Sequence, residues 1–319
     1  MSNPLDEMPP TPLVSNAAPA AAHQAYDYAL LDVFAEAPLQ GNQLAVFCDA
    51  RGLSTQEMQA LARETRLSET TFILPRAAEV ERGVQVRIFT PREELPFAGH
   101  PTLGTATWLY LNHPDFAGAD TITLDLPTGR IPVSFAAQQS SLGIFATMQQ
   151  KDPVFGKIHD RAEVAHAMGL SVDDLDPALP IQTVSTGMPF CIVPLCSLEV
   201  AARLAIPQQT AQPYLARIGA RFFYCITRAD AASGAHWHAR MQFYNGEDPA
   251  TGSASGCAIS YLVQHSLVAP GTQTVIEQGV EMLRPSRIYA SASLDGDRVC
   301  DVRVGGRTIP IATGRFFLL

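Results

Sequence analysis

Glu94-Leu95-Pro96-Phe97-Ala98-Gly99-His100-Pro101 and Glu247-Asp248-Pro249-Ala250-Thr251-Gly252-Ser253-Ala254 are two versions of one turn, and they decide the reading of the chain. An offset of 153 residues pairs Arg87 with Arg240, Glu94 with Glu247, Pro96 with Pro249 and Gly99 with Gly252. Further along it pairs Thr102 with Ser255, Trp108 with Tyr261 and Leu109 with Leu262. Both copies read as a strand, a Glu-x-Pro-x-x-Gly turn and a helix. Self-similarity over a whole supersecondary unit marks internal duplication. A weaker correspondence pairs Gly41-Asn42-Gln43-Leu44-Ala45-Val46 with Gly187-Met188-Pro189-Phe190-Cys191-Ile192. Two similar domains with a cleft between them are therefore expected.

Outside the repeat, the first ordered strand is expected near Tyr28, in Ala29-Leu30-Leu31-Asp32-Val33-Phe34. Ser54-Thr55-Gln56-Glu57 has the form of a capping box, and Met58, Leu61, Ala62 and Thr65 follow at helical spacing. Residues 70–74 and 84–89 are strand-like, and Pro101 suits the first turn of a helix running to about Leu111. From Thr274 onward, Asp-Gly and Gly305-Gly306 read as turns of antiparallel hairpins. This is an α+β pattern, with no Gly-x-Gly-x-x-Gly after a strand and no P-loop.

The 319 residues are 47% hydrophobic and 17% charged, a globular composition with room for two cores. A net charge of −9 argues against nucleic acid and anionic membranes as partners. It leaves open a small carboxylate held by helix starts. Residues 1–25, rich in Ala and Pro, are expected to be a disordered tail without signal-peptide character. The six cysteines form no Cys-x-x-Cys pair, as expected of a cytoplasmic protein. His236-x-His238 is the one metal-like spacing. It lacks a third ligand, so no metal is expected and the two rings are read as lining the cleft.

In each turn a glycine precedes a residue at the start of a helix. Glycine lets backbone approach a ligand closely, and free N–H groups there carry partial positive charge. Two such starts facing each other would clamp a carboxylate, with His100 and Ser253 reaching it from opposite sides. Ser253 is equally suited to capping its own helix, and Glu94 and Glu247 to favouring the positive helix ends. Asp248 breaks the repeat, since its counterpart is Leu95. Glu69, in Leu67-Ser68-Glu69-Thr70-Thr71-Phe72, is a carboxyl among apolar neighbours that could hold a proton near neutral pH. An exposed loop position is the alternative.

Several long stretches resemble the PhzF-like family, whose fold is similar to diaminopimelate epimerase. They are 32–47 (DVFAEAPLQGNQLAVF), 62–75 (ARETRLSETTFILP), 87–106 (RIFTPREELPFAGHPTLGTA), 184–195 (VSTGMPFCIVPL) and 247–256 (EDPATGSASG). The resemblance implies two pseudo-symmetric domains, each a rolled, mostly antiparallel sheet around a central helix, and a homodimer. The corresponding division is residues 26–145 and 146–310, with a strand over 311–319 returning to the first domain. It also implies cofactor-independent isomerisation, as of trans-2,3-dihydro-3-hydroxyanthranilate, with a proton leaving C3 and returning at C1. The family's proton-shuttling Glu matches Glu69, and its other catalytic residues match His100, Asp248 and Ser253. Gly99, Gly252, Gly187 and Asn42 fall where substrate is bound.

The chain departs from the family pattern at Gln43, where Pro is common, and at Ser255, where Ala is frequent. A two-base racemase would need opposed bases, and a serine without an activating partner is a poor one. An amino-acid epimerase and a non-catalytic carboxylate-binding protein remain the alternatives.

Overall fold

The computed structural model describes residues 24–137, 142–244 and 246–318. Of the expected tail, residues 1–23 lie outside the described residues. Its last two residues do not: the first strand begins at Gln24, earlier than the sequence suggests. The reason is pairing, because Gln24 to Val33 lies against the far end of the chain, Leu318 to Thr308.

The first half runs β1 (Gln24–Val33), β2 (Asn42–Phe47), α1 (Thr55–Thr65), β3 (Glu69–Leu74), α2 (Glu79–Arg82), β4 (Val84–Phe89), β5 (Glu94–Leu95), α3 (Gly99–Asn112), β6 (Thr121–Leu126), β7 (Gly129–Phe135) and β8 (Ile144–Gln149). The second runs β9 (Val154–Ile158), α4 (Arg161–Met168), β10 (Gln182–Ser185), β11 (Pro189–Pro194), α5 (Leu198–Ala202), α6 (Gln208–Ile218), β12 (Phe222–Arg228), β13 (Trp237–Arg240), β14 (Gln242–Phe243), β15 (Gly246–Glu247), α7 (Gly252–Gln264), β16 (Thr274–Gln278), β17 (Ser286–Asp295) and β18 (Arg298–Leu318).

The duplication seen in two turns extends through most of each half. Helices α1 and α6, strands β3 and β12, helices α3 and α7, and strands β6 and β16 all begin 153 residues apart. The pairing repeats as well. β2 is parallel to β3 as β11 is to β12, and β4 is parallel to β6 as β13 is to β16. The two halves join through β18, which pairs with both β8 and β17 before its last residues follow β1. Gly305-Gly306 is consequently not a turn, contrary to the sequence reading. A Cβ at Gly305 would sit 2.6 Å from the Ala146 carbonyl, and one at Gly306 would sit 2.5 Å from Phe34. The glycines let a straight strand pass close to its neighbours.

Helices α3 and α7 are the cores of their halves. Ten residues of α3, from Gly99 through Leu109, are buried, and so are Gly252 to Val263 of α7. A helix that is apolar on every face belongs inside, and the strands curve round each one. Helix α1 lies outside, on Phe47, Phe72 and Phe89, and its Ser54–Glu57 capping box forms as the sequence implies. Fully burying a side chain such as Leu or Phe contributes roughly 1.5–3 kcal/mol. The central helices are therefore fixed firmly enough to hold their first turns in place.

Candidate active site

The N-termini of α3 and α7 meet at the junction of the two halves. A Cβ on Gly99 would lie 2.9 Å from the Ser253 nitrogen, and one on Gly252 would lie 3.6 Å from the Gly99 Cα. The two starts are thus in contact rather than opposed across an open gap. The glycines serve first to let the helices touch. Ser253 is not the cap, which is Thr251, and His100 likewise follows its cap, Ala98. The first helical bonds are Thr102 N–H to Ala98 and Ser255 N–H to Thr251. Earlier N–H groups, at Gly99, His100, Gly252 and Ser253, have no acceptor within their own helices.

Each turn is pinned by a duplicated ion pair. Arg87 holds Glu94 in two bonds of 2.7 and 2.6 Å, and Arg240 holds Glu247 at 2.8 and 2.5 Å. Glu94 and Glu247 are therefore partners of the preceding strand's arginine, not ligands of the helix ends. Two-point pairing fixes orientation as well as distance.

Around the helix starts stand the groups in which the halves differ. Asp248 is 7% exposed, and its Oδ1 accepts from Asn42 Nδ2 at 2.7 Å and from Ser68 Oγ at 3.3 Å. Its Oδ2 accepts from Thr251 Oγ1 at 2.6 Å. Burial raises the Asp248 pKa to about 6, against the lowering effect of those three donors. Asn42 spends its other amide proton on the Ala250 carbonyl at 2.9 Å. The resemblance places Asn42 where substrate is bound, and in the structure its amide supports Asp248. Its 3.3 Å contact with His100 Nδ1 joins the third polar group to the set.

Glu69 opens β3, and its Oε2 lies 3.6 Å from His100 Nε2. Neither atom has a hydrogen-bond partner, although both are buried. Burial, with the negative charge of Asp248 adding to it, raises the Glu69 pKa well above the carboxylate range. Burial lowers His100 to about 3 despite a bond to the Gln43 backbone, so its ring is neutral. A carboxyl with raised proton affinity thus faces a neutral imidazole.

Glu69, Asp248, Ser253 and Ser68 line one cavity together with Leu95, Ala98, Met188, Phe190, Phe222, Met241 and Phe243. Phe222 is the duplicated counterpart of Glu69, for each is the first residue of its strand. One half supplies a carboxyl there and the other an apolar ring. Gly187 is not brought into this cavity. It lines a neighbouring depression with Phe97, Gln150 and Thr186, and Met188 borders both. His236 and His238 do not line the cleft either. His236 is exposed, and buried His238 sits between Glu277 and Glu281 at 3.2 and 2.9 Å. Among the described residues no cluster of three or more His, Cys, Asp or Glu could hold a metal. All six cysteines are free, and Cys257 is buried against Thr186 and Met188.

The family model described as "Phenazine biosynthesis-like protein" matches residues 31–314. The chain belongs to that family. A relative from Pseudomonas aeruginosa named trans-2,3-dihydro-3-hydroxyanthranilate isomerase is 37% identical over 294 residues, covering 91% of this chain and 99% of the relative. An uncharacterized isomerase of Mesorhizobium japonicum is 33% identical over 308 residues, covering 92% and 100%. The solved structure of the Bacillus anthracis PhzF-family protein superposes with a TM-score of 0.82 at 26% identity, covering 92% and 100%. The chain is an isomerase of the PhzF family, with the epimerase-like α+β fold.

Proposed function

We propose that this isomerase moves a proton within a small cyclic carboxylate, and that trans-2,3-dihydro-3-hydroxyanthranilate is its substrate. The Pseudomonas aeruginosa relative, named for that reaction and matched over nearly its full length, supports the choice of substrate. The observation that carries the chemistry is Glu69: a carboxyl with a buried, unpartnered oxygen, lining the same cavity as the apolar Phe222. The substrate carboxylate lies on the free N–H groups of Gly99, His100, Gly252 and Ser253, where the helix starts concentrate positive potential. Ser253 Oγ donates to the same group, and neutral His100 orients the ring.

Ionised Glu69 then breaks the C3–H bond, and the electron pair shifts through the ring as the enol forms. The same carboxyl returns its proton to C1, and the enol becomes the ketone. A raised pKa suits both steps, because it makes Glu69 a stronger base and lets it retain the proton between them. Asp248 stays ionised, sustains that proton affinity, and contacts the polar substituents of the ring. Racemisation with opposed bases fits less well, since Phe222 has no proton to exchange. On the same reading the chain divides into residues 26–145 and 146–310, and of the expected returning strand over 311–319 the described residues, up to Leu318, run beside β1. Six free thiols support a cytoplasmic setting.

The test is direct: incubate the protein with trans-2,3-dihydro-3-hydroxyanthranilate and follow its loss and the ketone product by absorbance and mass spectrometry. Turnover is expected. Saturable binding without turnover would overturn the substrate assignment.

A further inference from the structure

The segment Gln278–Arg284 touches Thr251, one donor to Asp248, and the turn that carries Asn42, another, although neither end belongs to a catalytic motif. Gln278 closes β16, is fully buried, and uses all of its amide. Its Nε2 donates to the Asp248 carbonyl at 2.7 Å and to Thr251 Oγ1 at 2.9 Å. Its Oε1 accepts from Thr251 N–H at 3.1 Å and from Tyr224 OH at 3.0 Å. A hydroxyl has one proton. Because Thr251 Oγ1 accepts from Gln278, that proton is directed to Asp248 Oδ2, 2.6 Å away. Tyr224 in turn meets Ser255 Oγ at 3.0 Å, which gives the unusual serine a place in the chain of bonds.

Six residues on, Arg284 crosses to the first half. It donates to the carbonyls of Gln40 at 2.7 Å and Gly41 at 3.1 Å, and to the buried Asp32 carboxylate at 2.6 Å. Those bonds fix the turn that presents Asn42 to Asp248. Gly279, at φ +77°, bends the segment where a Cβ would come within 2.6 Å of the Pro249 carbonyl.

We propose that Gln278 and Arg284 are positioning residues of the isomerase, one aiming the Thr251 hydroxyl and the other the Asn42 amide at the Asp248 carboxylate. The segment is a brace with its two ends in different halves. It reaches the Asp248 carboxylate only through Thr251 and Asn42. The titratable groups around Asp248 are Glu69 from β3, Tyr224 from β12 and Glu247 next to it, itself held by Arg240, while His100 from α3 touches its donor Asn42. Donors to a carboxylate favour its ionised form, so their loss makes it take up a proton at higher pH.

This inference rests on the isomerase reading for its kinetic arm and not for its titration arm. With carboxyl-labelled aspartate, the Asp248 titration is followed by carbon NMR and assigned by its loss in Asp248→Asn. Thr251→Val and Arg284→Met should each move it up by about one pH unit, the scale of one hydrogen bond to a charged group. Thr251→Ser and Arg284→Lys should restore most of the shift. In turnover, kcat should fall about tenfold with KM within about twofold. Gln278→Met is a third variant, and Tyr224→Phe replaces it if its folding is impaired. An unchanged Asp248 titration in folded Thr251→Val and Arg284→Met, or a loss confined to KM, overturns the proposal. A wild-type protein without turnover but with the expected titration shifts would sink the substrate assignment alone.

Discussion

Gly99→Ala tests how the two helix starts are joined. The added Cβ would sit 2.9 Å from the Ser253 nitrogen and 3.1 Å from the Gly252 carbonyl carbon, where ordinary contact begins at 3.4 Å. Both neighbours are backbone atoms at the start of a buried helix and cannot rotate away. The Met148 methyl, at 3.0 Å, can. The helix starts must therefore separate by roughly half an ångström, and overpacking of this kind costs about 1–3 kcal/mol. A misplacement of 1 Å can cost about a hundredfold in rate, so half that distance should cost roughly tenfold. Urea unfolding reads the first effect and steady-state kcat the second. Gly104→Ala is the comparison. Its Cβ would press on the side chains of Leu44 and Val33, one turn deeper in α3, so stability should fall without the tenfold loss in rate. Wild-type stability and kcat in Gly99→Ala would refute the close contact of the two turns.

Other consequences follow from the charges. Burial pulls the His238 pKa down, but its bonds to Glu277 and Glu281 outweigh that and push it up to about 9. A raised folded-state value means the stabilisation is complete below pH 6.5 and is lost as pH rises through 9. It amounts to about 3 kcal/mol at most. Urea midpoints between pH 6 and 10 should fall across that window, and His238→Gln should flatten the fall; an equal fall in the variant would contradict it. Asp248→Asn removes a charge that raises the Glu69 pKa, second to burial. The activity of that variant should be lower but reach its plateau at lower pH, as a pH series of kcat would show. A plateau displaced to higher pH would refute the coupling.

Local constraint explains which parts were legible in the sequence. The two turns repeat because each needs a glycine at a helix contact and an arginine–glutamate pair at its base, so the duplication survives in the residues themselves. The acid/base candidates were visible where the copies differ, at His100 against Ser253 and at Asp248 against Leu95. The counterpart of Glu69 could have been found by the same 153-residue offset, which leads to Phe222. The use of Glu94 and Glu247 was also within reach, because their arginines sit seven residues upstream in both copies. Gln278 and Arg284 had no such signal. They act through separations of 27 to 252 residues along the chain that only the fold closes. Gly305-Gly306 misled for a related reason. A Gly-Gly pair fits a turn, and it equally fits a strand whose neighbours press on both of its faces.

The central claim is that Glu69 carries the proton, and deuterium exchange tests it most directly. In deuterated water the wild-type protein should convert trans-2,3-dihydro-3-hydroxyanthranilate and place deuterium on the carbon that is reprotonated. Glu69→Gln should bind the substrate while losing turnover and label by about two to four orders of magnitude, the range for a general acid/base group. Label entering at the wild-type rate in Glu69→Gln would contradict the account.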